Sequence, residues 1–134
     1  MDQKTLKQAV DLSKGDGRIL VATSDAGGTP HLAAAGGLEL LPDGRLGITA
    51  WFCPGTLENL GRNRGISLTV WDPVRDRGHQ IIGEAERVEE LAVLDGYAPG
   101  REDFGTIPQV ERMVVVRPQR ALVFTRAPHS DREE

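Results

Sequence analysis

The sequence predicts a mainly β protein, an antiparallel barrel or sandwich that forms one domain over residues 1–134. Short runs of apolar and β-branched residues recur along the chain, and clusters of Gly, Pro and Asp separate them at the spacing of hairpin turns. Helical spacing is confined to two or three short segments, so helices can only cover the sheet. A chain of 134 residues is long enough to bury a substantial core.

Composition excludes several classes of function. The net charge of −4 argues against nucleic acid as a partner, because a phosphate backbone requires a basic surface. No run approaches the roughly 20 apolar residues of a membrane span, and the first residues lack the apolar centre of a signal peptide. We therefore expect a cytoplasmic protein that does not enter a membrane. The single cysteine, Cys53, excludes an intrachain disulfide and a multi-cysteine metal site.

The predicted elements follow one another with short connections. An amphipathic helix lies within residues 1–15 and ends at Gly15. Apolar runs bounded by turn residues predict about six strands, over residues 18–23, 31–41, 46–52, 66–71, 80–88 and 112–124. Between the third and fourth strands, residues 56–63 predict a second short helix with Thr56 as its N-cap.

Several positions within this pattern carry further information. The second strand begins with the small residues of 31–35, which indicate either a ligand or another subunit close to the backbone, or a tight barrel interior. Gly83 predicts a β-bulge or a close backbone approach inside the fifth strand, and Pro118 leaves the last segment as either one strand or two. We also expect a helical turn over residues 91–97, a loop over 99–108 and a frayed tail over 127–134.

The start of the second helix is the first candidate for an anion site. Amide groups in a first helical turn have no partners inside the helix and carry a partial positive charge, and Gly55 leaves space beside them. Thr56 either adds a hydroxyl donor to such a site or simply caps the helix. Arg62 and Arg64 either add positive charge or complement the helix dipole. The glycine spacing excludes a P-loop and a Rossmann fingerprint.

The remaining chemically active residues do not form a catalytic constellation. His31, His79 and His129 lack the paired spacing of metal ligands. No histidine can be assigned as a base for Cys53, and a lone cysteine is usually inert. The sequence therefore predicts no metal site and no catalytic side chain.

Three stretches, in this order, resemble the pyridoxamine 5′-phosphate oxidase-like split barrels, and among them the small FMN-binding proteins. They are LVATSDAGGTPHLA at residues 20–33, a short helix of the form T-x-x-N-L at 56–60, and QIIGEAERVEE at 80–90. The resemblance extends over roughly residues 5–125. It implies a six-stranded split β-barrel and a homodimer with FMN at the subunit interface.

The resemblance also implies which residues contact the cofactor. The strand before the short helix lines the isoalloxazine ring, the following loop and helix bind the phosphate, and the strand of small residues runs along the flavin and its ribityl chain. A polar residue on the fifth strand reaches the ring or the second subunit. In this sequence the corresponding positions are Ile48, Thr49, Ala50, Gly55, Thr56, Asn59, Arg62, His31, Ala33, Ala35 and Gln80.

One position departs from the family pattern. Many members carry Arg-Lys or Lys-Thr at the phosphate position, where this chain has Gly55 and Thr56. Each lost cationic contact removes a charge-assisted hydrogen bond of about 1.5–3 kcal/mol. The chain also lacks the C-terminal arginine motif of true pyridoxamine phosphate oxidases, so that activity is not predicted.

We therefore expect an FMN-dependent oxidoreductase or electron-transfer protein whose substrate or redox partner the sequence does not specify. The flavin would supply the redox chemistry, so this function requires no catalytic side chain. The alternative is a dimeric split-barrel binding module that has lost FMN or binds haem or a deazaflavin instead.

Overall fold

The computed structural model describes residues 2–50, 54–94, 109–128 and 131–134. These residues form two helices, α1 (Gln3–Lys14) and α2 (Pro54–Arg62), and one antiparallel sheet of seven strands. The strands are β1 (Arg18–Ser24), β2 (Pro30–Ala35), β3 (Gly37–Leu40), β4 (Leu46–Ala50), β5 (Gly65–Asp72), β6 (Arg77–Leu94) and β7 (Gln109–Val123). The predicted mainly β fold is confirmed.

The sheet curls because its two outermost strands are joined by a single residue. The strand order is β2-β1-β5-β6-β7-β4-β3, and only Gly36 separates β2 from β3 in the chain. The Gly36 N–H donates to the Thr49 carbonyl oxygen at 3.0 Å, and a Cβ atom on Gly37 would lie 2.5 Å from Thr49 Oγ1. A side chain at Gly37 would therefore block this corner. The predicted single strand over 31–41 is two strands, so the split barrel has seven strands rather than six.

The core lies inside the curled sheet. Residues of β1 alternate between partly exposed and buried, and the buried ones face inward with the apolar residues of the other strands. Fully buried side chains on these strands include Leu46, Ile48, Leu68, Val70, Ile81, Val114 and Val116. Helix α1 packs against β3 and β5 and adds its own apolar stripe of Leu6, Ala9 and Val10. Neither helix has the length and apolar character that a membrane span requires.

The bulge predicted at Gly83 is present in the β6–β7 pair. The register of this pair shifts between Ile82 and Gly83, and Gly83 lies opposite Pro118. A Cβ atom on Gly83 would overlap the Arg117 carbonyl oxygen, so the two backbones approach more closely than any other residue type would allow. Proline is tolerated at such an irregular position, and β7 continues through Pro118 as one strand.

Two further predictions differ from the structure near the ends of β6 and β7. Residues 91–94, predicted to begin a helical turn, continue β6, because they pair with β7 as far as Leu94 and Gln109. Residues 95–97 and the predicted loop over 99–108 lie outside the described residues. The tail was expected to fray, whereas Glu133 bridges to Leu122 and the Glu134 N–H donates to the Ala121 carbonyl oxygen at 2.8 Å.

Candidate functional site

Helix α2 is fixed across one end of the barrel by polar contacts with β1. Asn59 Nδ2 donates to Thr23 Oγ1 at 3.1 Å, and Asn63 Nδ2 donates to Ser24 Oγ at 2.8 Å. Leu60 faces the core from the same side of the helix. The amide of Asn59 is therefore engaged in holding the helix, one turn beyond the predicted phosphate position.

The first turn of α2 lies against His31 of β2. The imidazole Nε2 is 3.3 Å from the position that a Cβ atom on Gly55 would take, and Nδ1 is 3.5 Å from Thr56 Oγ1. Thr56 is fully buried and is the third residue of the helix, so its predicted role as N-cap is wrong. The sequence signal for the earlier start was Pro54, since proline is favoured at the first helical position. The structure thus brings together His31, Gly55, Thr56 and Asn59.

The small residues of β2 divide between the two faces of the sheet. His31, Ala33 and Ala35 pair with the inward-facing Thr23, Val21 and Ile19 of β1, and they alternate with more exposed neighbours. Ala35 packs against the core. The outward positions are Leu32, which is 64% exposed, and Ala34. At Ala33 and Ala35, therefore, small size serves the barrel interior.

The other predicted residues before and within α2 occupy different environments. Ile48 is fully buried and lies between Leu38 and Val114 in the sheet, so it belongs to the core. Ala50 is also buried, whereas Thr49 is half-buried at the corner formed by Gly36 and Gly37. Arg62 is exposed in the last turn of α2, at the end of the helix opposite to Gly55.

The outer face of the sheet holds Gln80. Its Nε2 donates to Ser67 Oγ at 2.7 Å. The strand register places Leu32, Ala22, Ser67 and Ile82 in one row across β2, β1, β5 and β6, and we call this row the outer-face patch. The small side chains of Ala22 and Ser67 lie between the larger apolar side chains of Leu32 and Ile82. Sequence reasoning missed this patch, because cross-strand neighbours are set by the register.

A shallow cavity of about 390 Å³ opens on this face and includes three residues of the patch. Its lining is mostly uncharged, with hydroxyl and amide groups at the rim. The lining residues are Ala22, Thr23, Ser24, Asn63, Gly65, Ile66, Ser67, Ile82, Gly83, Glu84 and Gln119.

The two described histidines, His31 and His79, lie in separate environments. His79 Nδ1 lies 2.8 Å from a carboxylate oxygen of Glu134, while His31 contacts α2. Among the described residues, no group of three or more His, Cys, Asp or Glu side chains could hold a metal ion. His129 and Cys53 lie outside the described residues.

Asp72, at the turn between β5 and β6, has a fully buried carboxylate that is paired with Arg75. Burial raises the pKa of Asp72, but hydrogen bonds from the Arg75 guanidinium and from the amides of Arg75 and Val74 outweigh it and lower the pKa overall. The guanidinium lies 3.0 Å and the Val74 N–H 3.0 Å from this carboxylate. This turn lies away from α2, so the arrangement supports the fold rather than the candidate site.

Comparison with solved structures identifies the fold. The chain is 20% identical to HupZ of Group A Streptococcus, with a TM-score of 0.62 over 93% of this chain and 96% of that chain. A pyridoxamine 5′-phosphate oxidase-related, FMN-binding protein of Nostoc punctiforme is 9% identical, with a TM-score of 0.61 over 89% and 81%. An F420 reductase is 19% identical, with a TM-score of 0.57 over 83% and 93%. No protein-family model and no curated protein matches the sequence.

Proposed function

We propose that this chain, which has the split-barrel fold of the pyridoxamine 5′-phosphate oxidase-like proteins, binds a flavin-type cofactor between two copies of itself and acts in redox chemistry. Two of the structural neighbours support a cofactor of this kind, since one is an FMN-binding protein and another is an F420 reductase. At identities of 9–20% they establish the fold, and the cofactor is our inference from the site.

The observation that carries the proposal is the division of the predicted site residues between two surfaces. His31 and Gly55 lie at the end of the barrel beside α2, whereas Gln80 and Ser67 lie on the outer face of the sheet. The cavity on the outer face is lined by neither His31 nor Gly55. If the barrel end of one copy packs over the outer face of another, a single cofactor contacts both, and symmetry gives two equivalent sites.

The barrel end suits the phosphate. The amides of the first turn of α2 carry the partial positive charge of a helix N-terminus, and Gly55 places no side chain in front of them. The imidazole of His31 lies beside this turn and supplies a hydrogen-bond donor where related proteins carry a basic pair. Because Thr56 is fully buried, we assign its hydroxyl to holding His31 rather than to direct contact with a phosphate.

The outer face suits a flat ring. Ala22 and Ser67 have small side chains on which a ring can lie, and the apolar side chains of Leu32 and Ile82 flank them. The Gln80 amide lies next to this surface, where it donates a hydrogen bond to Ser67. The volume of about 390 Å³ falls within the range of small-molecule sites, which bury most of their ligand. This cavity is shallow, so a second copy is needed to cover the ligand. The bound flavin would supply hydride or single-electron transfer, and the chain would position it and exclude water.

The same patch supplies the apolar contact for the dimer. Leu32 is 64% exposed and lies in one row with Ala22, Ser67 and Ile82, so the row offers an apolar surface on which a second copy can pack. We expect Leu32→Asp to yield a monomer in sedimentation equilibrium and to weaken cofactor binding at the same time. A monomeric Leu32→Asp variant with wild-type cofactor affinity would contradict an interfacial site.

The decisive experiment is a cofactor titration of the purified protein. FMN released on denaturation, or quenching of added FMN fluorescence that saturates at one FMN per chain, supports the proposal. Parallel titration with coenzyme F420 tests the second candidate, a deazaflavin, which the F420 reductase neighbour favours. Protein that binds neither compound would be a cofactor-free binding module, and the proposal would be overturned.

A further inference from the structure

We propose a second ligand site, for an organic anion with an apolar body, in a cavity between the last turn of α2 and the β6–β7 pair. The cavity has a volume of about 330 Å³, which is within the range of small-molecule sites. It does not include any residue assigned above to the flavin. Its lining residues are Leu57, Leu60, Gly61, Arg64, Ala85, Glu86, Arg87, Val88 and Arg112.

The floor of this cavity is apolar. Leu60 and Ala85 belong to the buried core, and Leu57 packs against it. Val88 completes this surface and remains 43% exposed. A hydrocarbon or aromatic group placed here would cover Val88 and gain the free energy of apolar burial.

The rim of the cavity is positively charged. It carries the guanidinium groups of Arg64, Arg87 and Arg112 against one carboxylate, Glu86. That carboxylate is already paired with Arg45, which lies outside the cavity, at 2.9 Å. Arg87 is paired with Glu89, so the positive charges of Arg64 and Arg112 remain without a carboxylate partner among the described residues. These two charges favour an anionic ligand, since planar guanidinium groups bind carboxylates with two parallel hydrogen bonds.

Arg112 is the residue best placed to bind the anion. Arg64 donates to the Glu86 carbonyl oxygen at 3.2 Å, and Arg87 donates to Glu89 at 2.6 Å. Within the described parts of the chain, the side chain of Arg112 makes no hydrogen bond and no ion pair, and only its backbone is engaged, in β7. Its guanidinium therefore retains all of its donors for a ligand.

Gly61 gives access to the cavity from the helix. A Cβ atom at this position would meet no atom within 4 Å, so the space beside Gly61, on the side of the helix that lines the cavity, is unfilled. Glycine is unfavourable inside a helix, and no close packing requires it here. A Cβ atom at Gly61 fits without a clash, and a longer side chain there would extend into the cavity and leave the first turn of α2 unchanged.

The proposal is tested by isothermal titration calorimetry with octanoate, and with octanamide as the uncharged probe of the same shape. We expect octanoate to bind the full-length protein with a dissociation constant of about 1 mM, a typical strength for a ligand of this size. We expect octanamide to bind at least about tenfold more weakly, because it cannot form charge-assisted hydrogen bonds.

Three variants locate the site. Arg112→Gln is expected to weaken octanoate binding at least about tenfold, because it removes the charge-assisted hydrogen bonds. Gly61→Leu fills the cavity, so we expect it to abolish binding while the thermal midpoint stays equal or rises. Arg18→Gln, at the exposed start of β1, is the matched control and is expected to leave binding unchanged.

Each contrary result would overturn the assignment. Absence of heat with wild-type protein, equal binding of octanoate and octanamide, or undiminished binding to Gly61→Leu would each reject the site. A similar loss in Arg112→Gln and Arg18→Gln would show that octanoate responds only to overall charge. The Gly61→Leu result keeps the test valid even if Arg112→Gln fails to fold.

Discussion

His31 on β2 and Gly55 on α2 approach so closely that the imidazole Nε2 lies 3.3 Å from the position of a Cβ atom on Gly55. This distance is shorter than ordinary van der Waals contact, so an alanine at Gly55 would push the imidazole aside. The two residues are separated by most of β2, β3 and β4 in the chain, and the curl of the sheet brings them together. Their contact joins the strand of small residues to the start of the helix.

The first prediction concerns His31 as a phosphate donor. We expect His31→Ala to weaken FMN binding at least about tenfold, because a hydrogen bond to a charged group contributes about 1.5–3 kcal/mol. His31→Gln retains a donor and is expected to recover part of the affinity. Quenching of FMN fluorescence measures both variants. Wild-type affinity in a folded His31→Ala protein would remove this residue from the site.

The second prediction compares two glycines. Gly83→Ala places a Cβ atom against the Arg117 carbonyl oxygen in the β-bulge, and we expect it to destabilise the protein by about 1–3 kcal/mol or more. Gly61→Ala, in open space on α2, is expected to stabilise it by up to about 1 kcal/mol. Urea unfolding of the two variants gives both values. Equal changes in unfolding free energy for Gly83→Ala and Gly61→Ala would contradict the close packing described for Gly83.

Local chemistry was sufficient to predict features that one residue determines. A glycine inside an apolar run indicates an irregularity of the strand, and the β-bulge is found at Gly83. Gly44 has a φ of 82° in the turn after β3, a conformation that glycine adopts without strain. The order of the helices and of most strands followed from the same short patterns of apolar and turn residues.

Features that depend on distant partners were not predictable in this way. Residues 31–41 are divided between two strands because Ala35 pairs with Ile19, whereas Gly37 pairs with Thr49. Residues 91–94 remain extended because β7 lies beside them, although their composition also suits a helix. For the same reason the outer-face patch, which depends on the register of four strands, was absent from the predicted site.

The third prediction concerns the attachment of α2. Asn59→Ala removes the 3.1 Å hydrogen bond to the buried hydroxyl of Thr23, which is then left without that partner. We expect a loss of about 1–3 kcal/mol of unfolding free energy and faster hydrogen exchange of the α2 amides. Glu58→Ala, on the exposed side of the same helix, is the control, with a change within about 0.5 kcal/mol. Slow exchange in α2 of the Asn59→Ala protein would show that other contacts hold the helix.

The last prediction is the response of stability to acid. The pKa of Asp72 is lowered in the folded protein from its ordinary value of 3.8, so the folded state keeps this carboxylate ionised at pH values where the unfolded chain takes up a proton. The contribution of Asp72 to stability is therefore fully present above the unfolded pKa and is lost as the pH falls through the folded pKa. Asp72→Asn is expected to lower stability at neutral pH and to reduce the slope of unfolding free energy against pH below about 4. Asp25 and Asp76, whose pKa values are also lowered, maintain part of that slope. Urea unfolding at a series of pH values measures the slope for the wild-type protein and for Asp72→Asn. Identical slopes for these two proteins would contradict the role of Asp72.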